Sequence, residues 1–459
     1  MLTDRVINEL RSIVGRDNVH AGPAELVAYS FDATFPQHPP DVAVTPASTD
    51  EVSRIMKISH REGLPVISRG AGTSLSGGVI PLTGGIVMAL TRMNRIIEID
   101  HVNSCAVVEA GVINGEFQTR VEKEGLFYPP DPSSLAQCTL GGNVACCSGG
   151  PRCLKYGVTK DYVLGLTIVL ADGQVLEWGG KLMKNVTGYN LAQLFIGSEG
   201  TLGTVTQMIL RLVPLPKFRS TAAAFFPKLT DATNAVVGIL SEGILPATLE
   251  IMDQLTINVV EQYAQIGLLT DVEALLLLEQ DGNDQGAVQR EVEVMAEVCR
   301  RFGASEVRVA KDAAERDQLW RARRAISGAL GRYRPSKLGE DIVVPRGQIP
   351  AMVARVKEIG QQHGLAIPVF GHAGDGNLHP NILFDMRNPG ELERVQAAAA
   401  DIFRAALALG GTLTGEHGIG SLKKEFLEEA LGPLGVQIMR DIKQALDPKG
   451  LLNPGKMFP

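Results

Sequence analysis

Hydrophobic and polar positions in the first part of the chain alternate between helical and strand-like spacing. Ser48-Thr-Asp-Glu51 has the form of a capping box, and apolar residues recur at helical spacing from Val52 to Ile58. Gly63 is typical of a helix end, and the apolar run 64–67 after it predicts a strand. Further apolar runs predict strands at 85–90, 105–111, 163–170 and 203–213.

The pattern changes around Pro214-Leu-Pro216, which marks a predicted domain boundary. Long helical patterns follow at 231–241, 286–302, 313–330, 350–363 and 390–409. Strand-like runs separate them at 274–278, 307–310, 341–344 and 366–370. Helices alternating with strands in this way fit an α+β domain whose helices cover one face of a sheet.

Length and charge narrow the class of protein. The 459 residues suggest two or three domains, and 44 Lys+Arg against 51 Asp+Glu leave no cationic excess for a nucleic-acid partner. No apolar run reaches the roughly 18 residues of a membrane span, so no transmembrane segment is expected. The N-terminal residues carry charges at helical spacing and lack the apolar core of a signal peptide. We therefore expect a cytoplasmic protein.

Four of the six cysteines fall between Cys138 and Cys153 in a C-x7-C-C-x5-C spacing. An iron–sulfur cluster is one interpretation, but the spacing differs from the common ferredoxin runs. Buried, reduced thiols acting as small hydrophobic residues are the favoured alternative.

Arg69-Gly-Ala-Gly-Thr-Ser-Leu-Ser-Gly-Gly78 is a candidate anion site. It fails the dinucleotide fingerprint because Leu75 stands where the third glycine belongs, and it lacks the Gly-Lys-Ser/Thr of a P-loop. Its glycines and hydroxyls favour a cradle of N–H and O–H donors over a merely tight turn. Other small-residue stretches, each alone a weak signal, lie at 128–134, 139–143, 148–150 and 197–205.

A second candidate site contains two of the eight histidines, His372 and His379, in Gly371-His-Ala-Gly-Asp-Gly-Asn-Leu-His-Pro-Asn381. A hairpin there can bring both imidazoles to one side. Glu416-His417 adds a remote carboxylate, and two histidines with one carboxylate suit a catalytic divalent ion. Hydrogen-bonded turn histidines are the alternative. The helical run 319–327 carries three arginines, typical of a solvated face, although one of them can clamp a carboxylate.

Together and in this order, these stretches resemble the vanillyl-alcohol-oxidase/p-cresol-methylhydroxylase flavoproteins. The resemblance is greatest to the branch of glycolate oxidase flavoprotein subunits, FAD-linked D-lactate dehydrogenases and D-2-hydroxyglutarate dehydrogenases, and runs from about 20 to 456. It implies an α+β fold with an FAD-binding domain at 1–217 and a substrate domain at 218–410, whose antiparallel sheet is covered by helices. Residues 411–459 return to the first domain.

The resemblance implies bound FAD. It assigns to the cofactor Arg69, Gly70, Gly72, Thr73, Ser74, Ser76, Gly77, Pro130, Thr139, Gly142, Asn143, Gly149, Glu199, Gly200, Val205 and Asn453. The stretch 69–77 is placed on the pyrophosphate, and 139–149 with Asn453 at the flavin. Members with covalent flavin often carry a histidine where this chain has Thr73, so we expect non-covalent FAD.

The resemblance also implies one divalent metal (Zn, Fe or Mn) held by His372, His379 and Glu416. His417 is the implied base, Arg323 the clamp on the substrate carboxylate and Asn381 a substrate contact. The implied reaction oxidises a small D-2-hydroxy acid to the 2-keto acid by hydride transfer to flavin N5. Electrons then pass to a quinone or to a partner, either an electron-transferring flavoprotein or an iron–sulfur subunit.

One departure bears on the substrate. The 2-hydroxyglutarate enzymes tend to carry Lys-Tyr-Asp where this chain has Gly339-Glu340-Asp341, with Lys337 displaced by two residues. We therefore expect a monocarboxylate, lactate or glycolate, rather than a diacid. Two other functions stay open on sequence, a flavin-dependent alkyl-glycerone-phosphate synthase and an electron-transfer subunit.

Overall fold

A computed structural model describes residues 2–459, which form two compact units. The first comprises 2–149, 158–215 and 416–459, and the second comprises 150–157 and 216–415. The family resemblance implies that residues 150–157 belong to the first domain. In the structure this segment belongs to the second unit, because Lys155 Nζ and Tyr156 Oη each bond a carboxylate oxygen of Asp281, at 2.6 and 2.8 Å.

Helices occur in both units. Those of the first unit are α1 (Asp4–Val14), α2 (Pro23–Val27), α3 (Thr49–Glu62), α4 (Asn114–Glu122), α5 (Leu140–Cys146), α7 (Leu191–Phe195) and α14 (Leu427–Leu446). Those of the second unit are α6 (Cys153–Tyr156), α8 (Leu229–Ser241), α9 (Gln254–Ala264), α10 (Gln285–Arg301), α11 (Ala313–Tyr333), α12 (Ile349–His363) and α13 (Glu391–Ala408). None of the helices in residues 2–459 is both long and apolar enough to cross a membrane.

The first unit contains three sheets. The four-stranded sheet has the order β1-β2-β4-β3 and consists of β1 (Val19–His20), β2 (Val42–Val44), β3 (Val66–Arg69) and β4 (Ile86–Ala89). The five-stranded antiparallel sheet has the order β5-β6-β10-β8-β9 and consists of β5 (Ile96–Asp100), β6 (Cys105–Glu109), β8 (Val163–Val169), β9 (Val175–Gly179) and β10 (Thr204–Arg211). A short pair joins β7 (Leu126–Phe127) to β11 (Val213–Pro214).

Helix α3 links two strands of the four-stranded sheet and has the predicted ends. The Ser48 hydroxyl accepts a hydrogen bond from the Glu51 N–H at 3.2 Å, and Gly63 closes the helix in the left-handed conformation. Strand β3 then runs parallel to β4, and the glycine-rich stretch from Gly70 leaves its carboxyl end. Loops at the carboxyl ends of parallel strands are frequent ligand sites.

The second unit is built on one antiparallel sheet of eight strands, with the order β15-β12-β14-β13-β18-β19-β16 and β17 paired to β19. The strands are β12 (Phe218–Phe226), β13 (Thr248–Asp253), β14 (Ala274–Gly282), β15 (Glu306–Val309), β16 (Ser336–Gly339), β17 (Ile342–Val343), β18 (Val369–His372) and β19 (Asn377–Phe384).

Both faces of this sheet are covered. Leu275 and Leu277 pack with buried residues of α9 and α11, whereas Leu276 and Leu278, which point to the opposite face, are equally inaccessible. The expectation that helices cover a single face was therefore wrong. The continuous apolar run 274–278 is the pattern of a strand that is buried on both sides.

Candidate active site

The glycine-rich stretch lines an open cleft in the first unit. The cleft is close-packed around its glycines: a Cβ at Gly70 would lie 2.2 Å from Thr139 Oγ1. Sequence-predicted residues that line it are Arg69, Gly70, Gly72, Thr73, Ser74, Thr139, Gly142, Asn143, Glu199, Gly200 and Val205. Predicted FAD residues outside this lining are Ser76, Gly77, Pro130, Gly149 and Asn453.

Two polar side chains of the cleft differ in whether the protein itself satisfies their hydrogen bonds. Thr139 caps α5, because its hydroxyl oxygen accepts a hydrogen bond from the Gly142 N–H at 3.2 Å. The Nδ2 of Asn143 is buried and has no hydrogen-bond partner in the protein. A buried amide without a partner is uncommon unless a ligand satisfies it.

Two of the predicted cofactor residues, Arg69 and Asn453, hydrogen-bond to backbone carbonyls near the cleft. The Arg69 guanidinium donates to the Phe31 carbonyl at 2.7 Å and to the Ala28 carbonyl at 3.4 Å. Asn453 donates from Nδ2 to the carbonyls of Gly78, at 2.9 Å, and Glu199, at 2.7 Å. These bonds fix the backbone around the glycine-rich stretch. The contacts with the pyrophosphate and the flavin that the resemblance implies for these two residues stay predictions.

Glu416 and His417 line the same cleft of the first unit. The Glu416 carboxylate accepts a hydrogen bond from the Gly149 N–H at 3.1 Å. Glu199 anchors the residues that follow, since its carboxylate accepts from the N–H groups of Ile419 and Gly420. Burial raises the pKa of Glu199, while these two hydrogen bonds act to lower it.

In the second unit, the hairpin of β18 and β19 brings the two predicted histidine ligands together. Phe370 pairs with His379 and His372 with Asn377, so both imidazoles project from the same face of the sheet. Their Nε2 atoms are 3.4 Å apart, and the rings are nearly perpendicular, at 86°. Both side chains are buried.

A carboxylate lies behind each imidazole. Glu250 bonds His372 Nδ1, and an oxygen of Asp341 lies 3.6 Å from His379 Nδ1. Asp341 also accepts hydrogen bonds from Asn377 Nδ2 at 2.6 Å and from the Gly415 N–H at 2.8 Å. A carboxylate that is hydrogen-bonded to Nδ1, as Glu250 is to His372, directs the opposite ring nitrogen to a metal and fixes the tautomer that binds it.

Arg323 lies on α11, against the same face. Its Nε donates to Glu250 at 2.5 Å, and its guanidinium stacks over the Phe370 ring, 4.9 Å from the centroid. Burial raises the pKa of Glu250, but the adjacent His372 and Arg323 outweigh it and lower that pKa to about 2. Asn381 donates to the His379 carbonyl at 3.0 Å.

Three polar residues of this face were missed as site residues by the sequence analysis. Glu250 and Asp341 support the histidines, and Lys337 donates to the Ser327 hydroxyl at 2.8 Å. Lys337 pairs with Leu383, two residues from Asn381, so its side chain projects from the face that carries Asn381. Burial lowers the pKa of Lys337. The one available signal for Glu250 was a carboxylate inside the apolar run Thr248-Leu-Glu-Ile-Met252.

The chain matches two families of known domains. Residues 40–179 match the FAD binding domain family, and residues 215–457 match the C-terminal domain of FAD linked oxidases. The chain is 46% identical to the glycolate oxidase subunit GlcD of Bacillus subtilis (strain 168), over 100% of this chain and 97% of that protein. It is 35% identical to a D-lactate dehydrogenase of Anaerostipes hadrus, over 91% of this chain and 89% of that protein.

Solved structures show the same fold. The structure of p-cresol methylhydroxylase with substrate bound aligns with a TM-score of 0.81, covering 99% of this chain and 96% of that one. The two sequences are only 19% identical, so this likeness concerns the fold alone.

Proposed function

Because the chain belongs to the family of FAD-linked oxidases, we propose that it oxidises a D-2-hydroxy acid, lactate or glycolate, to the 2-keto acid. The observation that carries this proposal is the pair of His372 and His379, with Nε2 atoms 3.4 Å apart and a carboxylate behind each ring. Two imidazoles with an arginine on the same face suit a substrate that offers a hydroxyl and a carboxylate. By their names, the two relatives above act on glycolate and D-lactate.

FAD fits the cleft of the first unit. The close approach of Gly70 to Thr139 keeps side chains out of the cleft, and the buried Nδ2 of Asn143 offers a donor without a protein partner. Thr73 and Ser74 add hydroxyl groups for the pyrophosphate. When bound, FAD supplies the two-electron acceptor for the substrate hydride.

A divalent ion, Zn, Fe or Mn, fits the two histidines. Glu250 accepts a hydrogen bond from Nδ1 of His372, so Nε2 is the ring nitrogen that would bind the metal, and it lies 3.4 Å from the Nε2 of His379. The family resemblance adds Glu416 as the third ligand. When bound, the ion would supply Lewis acidity toward the substrate hydroxyl.

The chain's own residues then have separate tasks. Arg323 binds the substrate carboxylate through its two terminal nitrogens, since Glu250 occupies only Nε. Asn381 contacts the substrate from strand β19. His417 takes the proton from the 2-hydroxyl oxygen, which favours departure of the hydride from Cα.

The electrons leave through an acceptor outside this chain. We propose an electron-transferring flavoprotein, an iron–sulfur subunit or a quinone. The name of the glycolate oxidase relative, which calls it a subunit, supports a protein partner.

Anaerobic reduction of the bound flavin tests the proposal. D- and L-lactate, glycolate and D-2-hydroxyglutarate are added separately to the purified holoprotein, and the visible flavin band is followed. We expect D-lactate or glycolate to bleach the band and L-lactate to leave it unchanged. Failure of every 2-hydroxy acid would favour an alkyl-glycerone-phosphate synthase or an electron carrier instead.

A diacid such as D-2-hydroxyglutarate is a second candidate, supported by Lys337. Lys337 is displaced by two residues in the sequence, but it lies on strand β16, on the face that carries Asn381, and its Nζ is 2.8 Å from the Ser327 hydroxyl. An ammonium there offers a partner for a second carboxylate.

A further inference from the structure

Glu250 lies in the interior of the eight-stranded sheet, where water does not reach it. Strand β13 pairs antiparallel with β18, and this register puts Glu250 directly opposite His372. Its side chain is 0% exposed. An ionised carboxylate in such a place is costly unless charged partners compensate for its lost hydration.

Two cationic or polarisable groups share this carboxylate, one on each oxygen. Oε1 bonds Nδ1 of His372, and Oε2 bonds Nε of Arg323 at 2.5 Å. Arg323 is on a helix and His372 is on a strand, so Glu250 links two elements that cover different parts of the proposed substrate site.

Each of these two bonds determines which nitrogen atoms of His372 and Arg323 can face a ligand. A carboxylate accepts and does not donate, so Nδ1 of His372 carries a hydrogen, and in the neutral imidazole Nε2 is then the nitrogen whose lone pair a metal binds. On the other side, Glu250 takes Nε of Arg323 and leaves the two terminal nitrogens to meet a carboxylate in bidentate geometry. The stacking of the guanidinium on Phe370, 4.9 Å from the ring centroid, fixes the plane of that fork.

We propose that Glu250 is a positioning residue that serves two functions with one carboxylate: it directs His372 to the metal and Arg323 to the substrate carboxylate. The inference rests on the proposed function. It predicts that metal affinity and substrate affinity fall together when Glu250 changes, although the residue touches neither ligand.

The substitution Glu250→Gln keeps the size of the side chain but removes one accepting oxygen, so it tests the positioning role without disturbing the packing. A carboxamide has one accepting oxygen, so it can serve His372 or Arg323 but not both. If its NH2 faces His372, it favours the tautomer with hydrogen on Nε2, which cannot bind a metal. If its NH2 faces Arg323, two donors oppose each other and the guanidinium turns away.

The test measures Zn²⁺ binding and catalysis separately. Equilibrium dialysis of the FAD-loaded, substrate-free protein gives the Zn²⁺ dissociation constant, and steady-state kinetics at saturating Zn²⁺ give KM and kcat for D-lactate. We expect Glu250→Gln to weaken Zn²⁺ binding about 10- to 100-fold, as for other supports of a metal-bound histidine, and to raise KM roughly tenfold. Glu250→Asp keeps the charge but is too short for both partners, and it should show the same double loss if the glutamine variant does not fold.

Glu279→Gln is the matched control. Glu279 is a buried carboxylate of the same sheet that bonds Thr221 and Trp320 instead of a histidine. We expect it to lower the thermal midpoint without changing Zn²⁺ affinity or KM. Unchanged Zn²⁺ affinity and KM in both Glu250 variants would overturn the inference while leaving the proposed function intact. A wild-type protein that binds no Zn²⁺ yet oxidises D-lactate would instead overturn the metal in the proposed function, and this inference with it.

Discussion

The buried carboxylate of Glu199 accepts a hydrogen bond from the backbone N–H of Gly420 at 2.7 Å. Its second oxygen accepts from the N–H of Ile419 at 2.6 Å. The preceding glycine has no room for a side chain, since a Cβ at Gly418 would lie 2.7 Å from the same carboxylate. Glu199 therefore holds the segment that begins with Glu416 and His417, in addition to lining the cleft.

Loss of this anchor should impair catalysis more than cofactor binding. Glu199→Ala leaves two backbone donors without their acceptor, at a cost of about 1–3 kcal/mol each where they are buried. We expect a thermal midpoint lower by several degrees and kcat reduced at least tenfold, with FAD content near one per chain. Differential scanning calorimetry and anaerobic flavin reduction measure the two effects.

Glu109→Gln is the control for this change. Glu109 is a buried carboxylate of the same unit that bonds Arg95 and does not line the cleft. It should alter stability but leave kcat within about twofold. Equal losses of kcat in the two variants would show that Glu199 acts through general stability alone.

Where signals are local, the sequence alone predicted the structure. The capping box at Ser48 and the left-handed Gly63 bound α3, and the turn between His372 and His379 sets the hairpin. Each depends on residues that are neighbours in the chain. The family's fold and its FAD-binding domain were also predicted correctly from the order of the glycine-rich stretches.

The features that could not be predicted from the sequence depend on contacts between residues that are far apart in the chain. Glu250 meets His372 across 122 residues, because β13 and β18 are neighbours in the sheet. Strand β12 contains Ala222-Ala-Ala224, a run that favours helix, and it becomes a strand by pairing with β14 and β15. Helix α14 went unpredicted because Gly432 and Pro433 interrupt its pattern, and Gly432 has a φ of 71°.

Acid precipitation should separate FAD from the chain. Thr73 lines the cleft at the position where covalent members of the family often carry a histidine, and a threonine hydroxyl is a poor partner for a flavin linkage. We expect the yellow colour in the supernatant after treatment with trichloroacetic acid, measured by absorbance. Colour that stays with the washed pellet would contradict non-covalent binding.

His417→Ala should remove most catalysis while keeping the cofactor. The proposed base takes the substrate hydroxyl proton, and general bases typically contribute 10²–10⁴-fold to the rate. We expect kcat to fall at least 100-fold, with FAD content unchanged by visible absorbance. His101→Ala is the control, because His101 is exposed and pairs with Glu124. A variant at His417 that keeps a third of the wild-type kcat would refute the assignment.

Lys337 should decide between monocarboxylate and diacid substrates. Its ammonium lies on the sheet face that carries Asn381, and burial lowers its pKa below the usual lysine range. If it binds a second carboxylate, Lys337→Met should reduce kcat/KM for D-2-hydroxyglutarate at least 20-fold and change the value for D-lactate less than threefold. Lys357→Met, an exposed lysine of the same unit, should change neither value.

The lowered pKa of Lys337 predicts a specific pH dependence if this residue binds the second carboxylate of a diacid. A lysine whose pKa is lowered loses its charge at a lower pH than an exposed lysine, so kcat/KM for the diacid should fall as pH rises, before ordinary lysines titrate. In the wild-type enzyme, kcat/KM for D-lactate should not show this fall at high pH. In the Lys337→Met variant, neither substrate should show it. Parallel profiles for D-lactate and D-2-hydroxyglutarate in the wild-type enzyme would show that Lys337 does not contact the second carboxylate.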